Sequence, residues 1–187
     1  MIIGERVRLR AIEREDLPCF VQWLNDPEVR ENLELYQPLS MPREEKWFEV
    51  ILKRHPDEQP LCIEMQSGGS WQVIGNISFF NLDRRGQSAE VGIFIGEKKF
   101  WGKGFGTDAM KLMVSHGFMD LNLNRIHLRV FETNPRGIRS YEKAGFSHEG
   151  LLRQARYQNG RFIDVLVMGI LKDEWANKFK NGDIAHE

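Results

Sequence analysis

The sequence predicts a mixed α/β (α+β) fold in which one sheet is flanked by helices. Three strand-like runs follow one another across short, turn-rich links, which makes an antiparallel meander. Helical-period segments lie on both sides of that meander in the chain. The βαβ succession of a doubly wound parallel sheet is absent.

Residues 6–11 open the pattern, with Val7, Leu9 and Ala11 on one face and Arg6, Arg8 and Arg10 on the other, the period of a half-buried strand. Leu17, Phe20, Val21 and Leu24 then recur at helical spacing over Glu15–Leu24, and Asn25-Asp26-Pro27 stops the run. A second helix spans Pro42–Arg54, with proline in its first turn and Trp47, Phe48, Ile51 and Leu52 as its apolar stripe. Leu61–Met65, Gln72–Phe80 and Ser88–Ile95 are the meander strands, separated by Ser67-Gly68-Gly69-Ser70 and Asp83-Arg84-Arg85-Gly86. A helix over Thr107–Phe118, a strand over Arg125–Phe131 and a helix over Pro135–Ala144 follow. Phe146–Leu152 and Phe162–Leu171 close the order as a hairpin around Asn159-Gly160.

The chain has 187 residues, a length that favours one domain over 1–187, with its core over about 6–171 and a tail over about 172–187. Its last residues, Asn181 to Glu187, are polar and predicted to fray. With 41% apolar and 28% charged residues, the composition is that of a globular protein. Lys plus Arg number 26 against 27 for Asp plus Glu, which denies the chain the overall basic field of a non-specific nucleic-acid binder. No nucleic-acid partner is expected, and no membrane one, because no apolar run reaches the ~18–20 residues needed to span a bilayer. A cytoplasmic location is expected, with Cys19 and Cys62 reduced.

The most informative stretch runs Phe100-Trp101-Gly102-Lys103-Gly104-Phe105-Gly106-Thr107-Asp108-Ala109, between an apolar strand and an amphipathic helix. Glycines at such a junction let backbone N–H groups close on a ligand, and the positive end of the helix favours phosphate or pyrophosphate. Lys103 would add a cation. No P-loop string is present. Gly104, Gly106 and Ala109 satisfy a loose dinucleotide fingerprint with Glu132 as the later acid, but a meander precedes the loop and too little chain follows it. A nicotinamide-dinucleotide fold is the weaker alternative.

A second motif is Asn134-Pro135-Arg136-Gly137-Ile138-Arg139-Ser140-Tyr141-Glu142-Lys143-Ala144-Gly145-Phe146. Positions seven apart on a helix return to within about 20° of one face, so Asn134 and Tyr141 share a side. A tyrosine hydroxyl flanked by Arg139 and Lys143 can serve as a proton donor. The bland reading makes it a packed core residue.

Over Arg6 to about Leu171 the sequence resembles the GNAT superfamily of acetyl-CoA-dependent N-acetyltransferases. Its glycine loop is similar to that family's pyrophosphate loop, Gln/Arg-x-x-Gly-x-Gly/Ala, with Trp101 in the first position, as in the Rim-type branch that acts on protein N-termini. The second motif is similar to Asn-x-x-Ala-x-x-x-Tyr-x-Lys-x-Gly-Phe, with Gly137 replacing Ala. The resemblance implies a mostly antiparallel sheet splayed between the strand ending at Ile95 and the strand Arg125–Phe131. It also implies acetyl-CoA as co-substrate, with Ile95, Trp101, Gly102, Lys103, Gly104, Phe105, Gly106, Thr107, Asn134 and Lys143 as its binding residues.

Direct acetyl transfer needs a base, a polarised carbonyl and an acid for the leaving thiolate. Tyr141 is the expected acid. Glu90, on the strand face of Gly92 and Phe94, is the expected base. His127 reads as structural. No metal site is expected, since neither cysteines nor histidines show ligand spacing. The acceptor is expected to be a primary amine: a protein N-terminus, a polyamine or another small amine. Asp26, Glu28, Glu31 and Glu34, with Arg30 the one base among them, suggest an acidic rim that steers a cationic amine. A family-derived acyl-CoA-binding module without catalysis is the alternative, and the reading leaves room for a homodimer.

Overall fold

The computed structural model describes residues 1–180, with side chains described through Lys178; the predicted fraying of Asn181 to Glu187 lies outside the described residues. Among the described residues, eight strands form one sheet. They are β1 (Ile2–Ile3), β2 (Val7–Ala11), β3 (Leu61–Ser67), β4 (Ser70–Asp83), β5 (Ser88–Ile95), β6 (Arg125–Phe131), β7 (Ser147–Gln158) and β8 (Arg161–Leu171). Their order is β1-β2-β3-β4-β5-β6-β8-β7, and every pairing is antiparallel except β5 with β6.

The tight links behave as their residues dictate. Gly68 and Gly69 take φ of 56° and 84° between β3 and β4, and Asn159 and Gly160 take 50° and 81° between β7 and β8, as the twist of a two-residue hairpin requires. In the β4–β5 link the Asp83 carboxylate accepts from the amides of Arg85 and Gly86.

Among the described residues there are six α-helices: α1 (Leu17–Leu24), α2 (Pro27–Arg30), α3 (Met41–Ile51), α4 (Phe105–Met119), α5 (Pro135–Ala144) and α6 (Lys172–Lys180). A 3-10 turn, Arg14–Asp16, takes the place of the first predicted turn of α1. Asn25 ends α1 and Asp26 caps α2 by accepting from the Glu28 amide, so the expected stop also starts a helix too short to show periodicity. The α3 helix stops at Ile51, short of the predicted Arg54, because Leu52 to Arg54 are exposed and close into tighter turns instead.

The middle of the sheet is covered on both faces, whereas the edge strand β7 is largely exposed. Against one face, Met110, Met113, Val114 and Phe118 of α4 pack on Leu9, Ile63, Phe79, Val91, Ile126 and Met168. Against the other, Phe20, Trp23, Phe48 and Ile51 of α1 and α3 enclose Cys62. Phe20 is completely buried, so truncation to alanine would cost about 3–5 kcal/mol. The predicted tail from 172 is in part helical: α6 carries Trp175, 7% exposed and 5.6 Å from the Phe118 ring, into the main core. One aromatic anchor in a polar window was too little periodicity to reveal this helix. Among the described residues, no helix is long and apolar enough to cross a membrane.

The β5–β6 pair positions the site. It is hydrogen-bonded only from Ser88↔Arg125 to Glu90↔His127; beyond that the two strands part. The Gln87 carbonyl faces β6, accepting from the amides of Asn124 and Arg125. Since backbone groups alternate along a strand, those of Val91, Ile93 and Ile95 also face the gap, where β6 no longer supplies partners.

Candidate active site

A cleft of about 300 Å³ opens where the strands separate. Its walls are the end of β5 (Ile93, Phe94, Ile95), the glycine loop with the start of α4, the inner face of α5, and Val29, Asn32 and Leu33 beside α2.

Trp101 sets the geometry of the first wall. Its indole N–H donates to the Ile95 carbonyl at 2.7 Å, so the aromatic residue that replaces Gln or Arg in the loop motif satisfies the last carbonyl of β5. One acceptor position of the Ile95 C=O is thereby occupied. Gly102 and Gly104 have φ of 73° and 89°, conformations that side chains rarely adopt, and a Cβ on Gly104 would lie 2.9 Å from the Arg6 guanidinium. Gly106 differs. A Cβ there would meet Ile95 and Ser140 at ordinary distances of 3.6 and 3.9 Å. The protein itself does not demand glycine at 106; the open space lies on the cleft side.

The first helical N–H groups of α4 have no intrahelical acceptor, and no side chain caps them; the first helical bond runs from the Asp108 N–H to the Gly104 carbonyl. These amides and the helix dipole face the cleft mouth, an arrangement suited to phosphate. The Thr107 hydroxyl is used otherwise, lying 2.8 Å from the Ser140 hydroxyl and joining α4 to α5. Lys103 departs from expectation. Its ammonium lies 5.7 Å from the Phe100 ring, and the side chain does not line the cleft. Phe105 likewise packs edge-on against Phe100 at 5.7 Å. Neither side chain lines the cleft, and that of Lys103 is exposed.

The cations that do line the cleft come from α5. They are Arg136, Arg139 and Lys143, and of these the sequence reading selected only Lys143. Arg136 stacks 3.7 Å over the Trp101 ring, and desolvation there lowers its pKa. Its signal in the sequence was its place two residues after Asn134, in the first turn of a helix facing a phosphate-type loop. Among the described residues no Asp, Glu or His lines the cleft, so it is a cationic slot suited to a polyanion such as coenzyme A.

Asn134 and Tyr141 both line the cleft, and Ile138 between them packs inward. The Asn134 side-chain carbonyl accepts from the Gly137 amide at 2.9 Å and caps α5. A Cβ on residue 137 would come within 2.6 Å of the Asn134 amide nitrogen, so alanine there would require the Asn134 side chain to shift. Desolvation pushes the Tyr141 phenol up to about 12, with Arg136 opposing slightly, so the hydroxyl keeps its proton throughout the neutral range.

Glu90 is not brought to the cleft. It sits at the closed end of the β5–β6 pair, 5% exposed, opposite His127. Its Oε1 accepts from Arg129 Nε at 2.8 Å, and its Oε2 from Asn81 at 3.0 Å. It shares the predicted strand face, but both oxygens are engaged by Arg129 and Asn81 and the side chain does not line the cleft. His127 is half-buried, outside the cleft, and desolvation lowers its pKa. Among the described residues no group of His, Cys, Asp and Glu could hold a metal.

The acidic rim is largely neutralised. Lys98 binds Asp26 at 2.8 Å and Glu28 at 2.9 Å, and Arg156 of β7 binds Glu34. Glu31 is the member of this run left without an ion pair among the described residues. It lines a second groove, about 560 Å³, together with Tyr36 and Tyr157; the groove and the cleft share Leu33.

Comparison with known proteins agrees with this geometry. Residues 6–147 match the family model described as acetyltransferase (GNAT) domain. An uncharacterized N-acetyltransferase, p20, of Bacillus licheniformis is 33% identical over 187 residues, covering 92% of this chain and 96% of that protein. The spermidine N(1)-acetyltransferase of Vibrio cholerae is 28% identical over 176 residues, covering 94% and 99%. A crystal structure of the Vibrio cholerae spermidine N-acetyltransferase in complex with CoA and spermine aligns at a TM-score of 0.82 with 28% identity, over 93% of this chain and all of that one.

Proposed function

The chain belongs to the GNAT acetyltransferase family, and on that premise we propose that it transfers the acetyl group of acetyl-CoA directly to a primary amine of a small polyamine. It is an acyltransferase that uses acetyl-CoA as co-substrate.

The observation that carries the reading is the cleft itself: open β5 backbone, the uncapped α4 N-terminus, three cations and a protonated phenol converge there. The α4 amides and Arg136 would hold the phosphates of acetyl-CoA, and the gap past Ile93 and Ile95 would take the acyl arm towards Tyr141. The unprotonated amine attacks the thioester carbon, a C–N bond forms and the C–S bond breaks. The thiolate leaves with the electron pair and takes the Tyr141 proton. With Glu90 committed elsewhere, the amine gives its proton to water, and the Tyr141 phenolate takes one back from water.

The acceptor class rests on two supports. Relatives spanning nearly the whole chain are named spermidine N(1)-acetyltransferases. Glu31, Tyr36 and Tyr157 offer a carboxylate and two aromatic faces to a distal ammonium in the groove next to the cleft. An amine panel read by free-thiol release tests this: spermidine and spermine should outcompete neutral amines, and preference for a neutral or anionic amine, or for a basic peptide N-terminus, would refute it.

A further inference from the structure

The glycine loop is gripped from behind by a residue that does not line the cleft. Arg6 immediately precedes β2 and its backbone is anchored: its carbonyl accepts from the Gln66 amide at 3.1 Å, and Val7 beside it is buried. From there the side chain crosses to a loop 97 residues further along the chain. Its Nη1 donates to the Lys103 carbonyl at 3.3 Å, its Nη2 lies 2.5 Å from Asp108 Oδ2, and its guanidinium carbon stands 5.2 Å from the centre of the Phe105 ring. Asp108 Oδ2 is enclosed, and the guanidinium meets it as an ion pair rather than as an aligned hydrogen bond. The same group fills the space over Gly104, where a Cβ would lie 2.9 Å from Nη2.

A stretch with glycines at 102, 104 and 106 has more backbone freedom to lose than side-chain-bearing residues would. The first amides of α4 must nevertheless hold one arrangement to meet a phosphate together, and no side chain caps them. Order already present in the free protein is order that binding need not impose. The Trp101 indole fixes the start of the loop on Ile95, and the Thr107 hydroxyl ties its end to Ser140. Arg6 holds the stretch between those two ties.

We propose that Arg6 is a positioning residue for acetyl-CoA: by gripping Lys103, Phe105 and Asp108 from the outer side, it keeps the loop amides in their phosphate-binding arrangement before the ligand arrives. This rests on the placement of the acetyl-CoA phosphates at that loop. Arg6 acts through the loop and moves no proton.

The test compares wild type, Arg6→Ala and Arg6→Lys by NMR backbone order parameters of residues 102–107, with and without saturating coenzyme A, and by isothermal titration of coenzyme A. The Arg6 side chain is 47% exposed, and an ion pair so placed adds little to global stability, so Arg6→Ala should fold with a Tm close to wild type. In the free protein the loop order parameters should fall from about 0.85 to below about 0.6, and saturating coenzyme A should restore them. The coenzyme A Kd should rise at least about threefold, because binding must now order the loop. At saturating acetyl-CoA, kcat and the amine KM should stay as in wild type, a split that a general loss of structure would not give. Arg6→Lys keeps a cation for Asp108 but loses the fork that also reaches Lys103, so it should fall between the other two. Unchanged loop order in Arg6→Ala overturns the proposal, and if the Kd has nonetheless weakened, Arg6 meets the ligand directly. A mobile loop with a smaller rise in Kd also overturns it. Should Arg6→Ala not fold, wild-type loop order and Kd in Arg6→Lys overturn it. The order-parameter and titration arms need no acceptor, so they decide the proposal even if the polyamine reading fails. A wild type that binds no coenzyme A overturns the placement of acetyl-CoA in the cleft and this proposal with it.

Discussion

Replacing Tyr141 with phenylalanine removes one hydroxyl from a ring already packed against Phe146 at 6.3 Å, so the cleft walls should keep their shape. The leaving thiolate then loses its proton donor. Loss of a positioned general acid lowers kcat by about 10²–10⁴-fold, or about 3–5 kcal/mol of barrier. The acetyl-CoA KM should change far less, because phosphate and pantetheine contacts remain. A separate signature lies in the wild-type pH profile. A phenol at its ordinary value of ~10 is about half ionised at pH 10. Burial pushes Tyr141 to about 12, which leaves ~1% ionised at that pH. Steady-state thiol release, under conditions where chemistry is shown to limit the rate, should show no loss of kcat from the acid up to about pH 10. A descending limb near pH 10 that disappears in Tyr141→Phe, or a variant kcat within about threefold of wild type, would refute this role.

Gly106→Ala separates ligand space from protein packing: ordinary contacts for the added methyl and a helix-propensity gain of up to ~1 kcal/mol should preserve Tm, while isothermal titration shows weaker acetyl-CoA binding. Unchanged affinity would show that the ligand does not approach there. Glu44 on α3 is 4% exposed, and burial pushes its carboxyl up to about 7 from the ordinary 4.5. The folded state holds that proton more tightly than the unfolded one, so stability is lost as pH rises from about 4.5 to 7. Glu44→Gln should gain on the order of 3 kcal/mol at pH 8 and nothing at pH 4, read from denaturant melts. For Asp16, burial opposes ionisation, but the Arg10 hydrogen bonds at 2.7 and 2.8 Å and the Glu13 amide outweigh it and lower its pKa. Its contribution is present above the ordinary carboxylate range and lost as pH falls through the folded value. Asp16→Asn should therefore cost about 3 kcal/mol at pH 7 and progressively less in acid.

How far the sequence could be read depended on the range of the interaction. The α5 helix was legible to both ends because Asn134 and Gly145 act locally, one as a side-chain cap and the other as a residue at φ 104°. The alternation of β6 and the Asn159-Gly160 turn were local for the same reason. The α2 helix is shorter than one hydrophobic period, and α6 depends on a single aromatic contact with Phe118. In the site, the Asn134–Tyr141 face followed from helix geometry. What occupies Glu90 did not: Arg129 is 39 residues away and reaches it only through the β5–β6 register. Lys98 and Arg156 neutralise the acidic run by the same kind of long-range approach, which charge counting along the chain does not reveal. Trp101 stands where the loop motif has Gln or Arg, and its indole satisfies the Ile95 carbonyl and supports Arg136.

The most direct measurement incubates the purified protein with acetyl-CoA and spermidine, counting free CoA thiol while mass spectrometry follows the amine. Direct transfer through this cleft predicts one monoacetylated spermidine per thiol released, and no thiol above background when the amine is withheld. Thiol release without acetylated amine, or no release with any primary amine, would contradict the account.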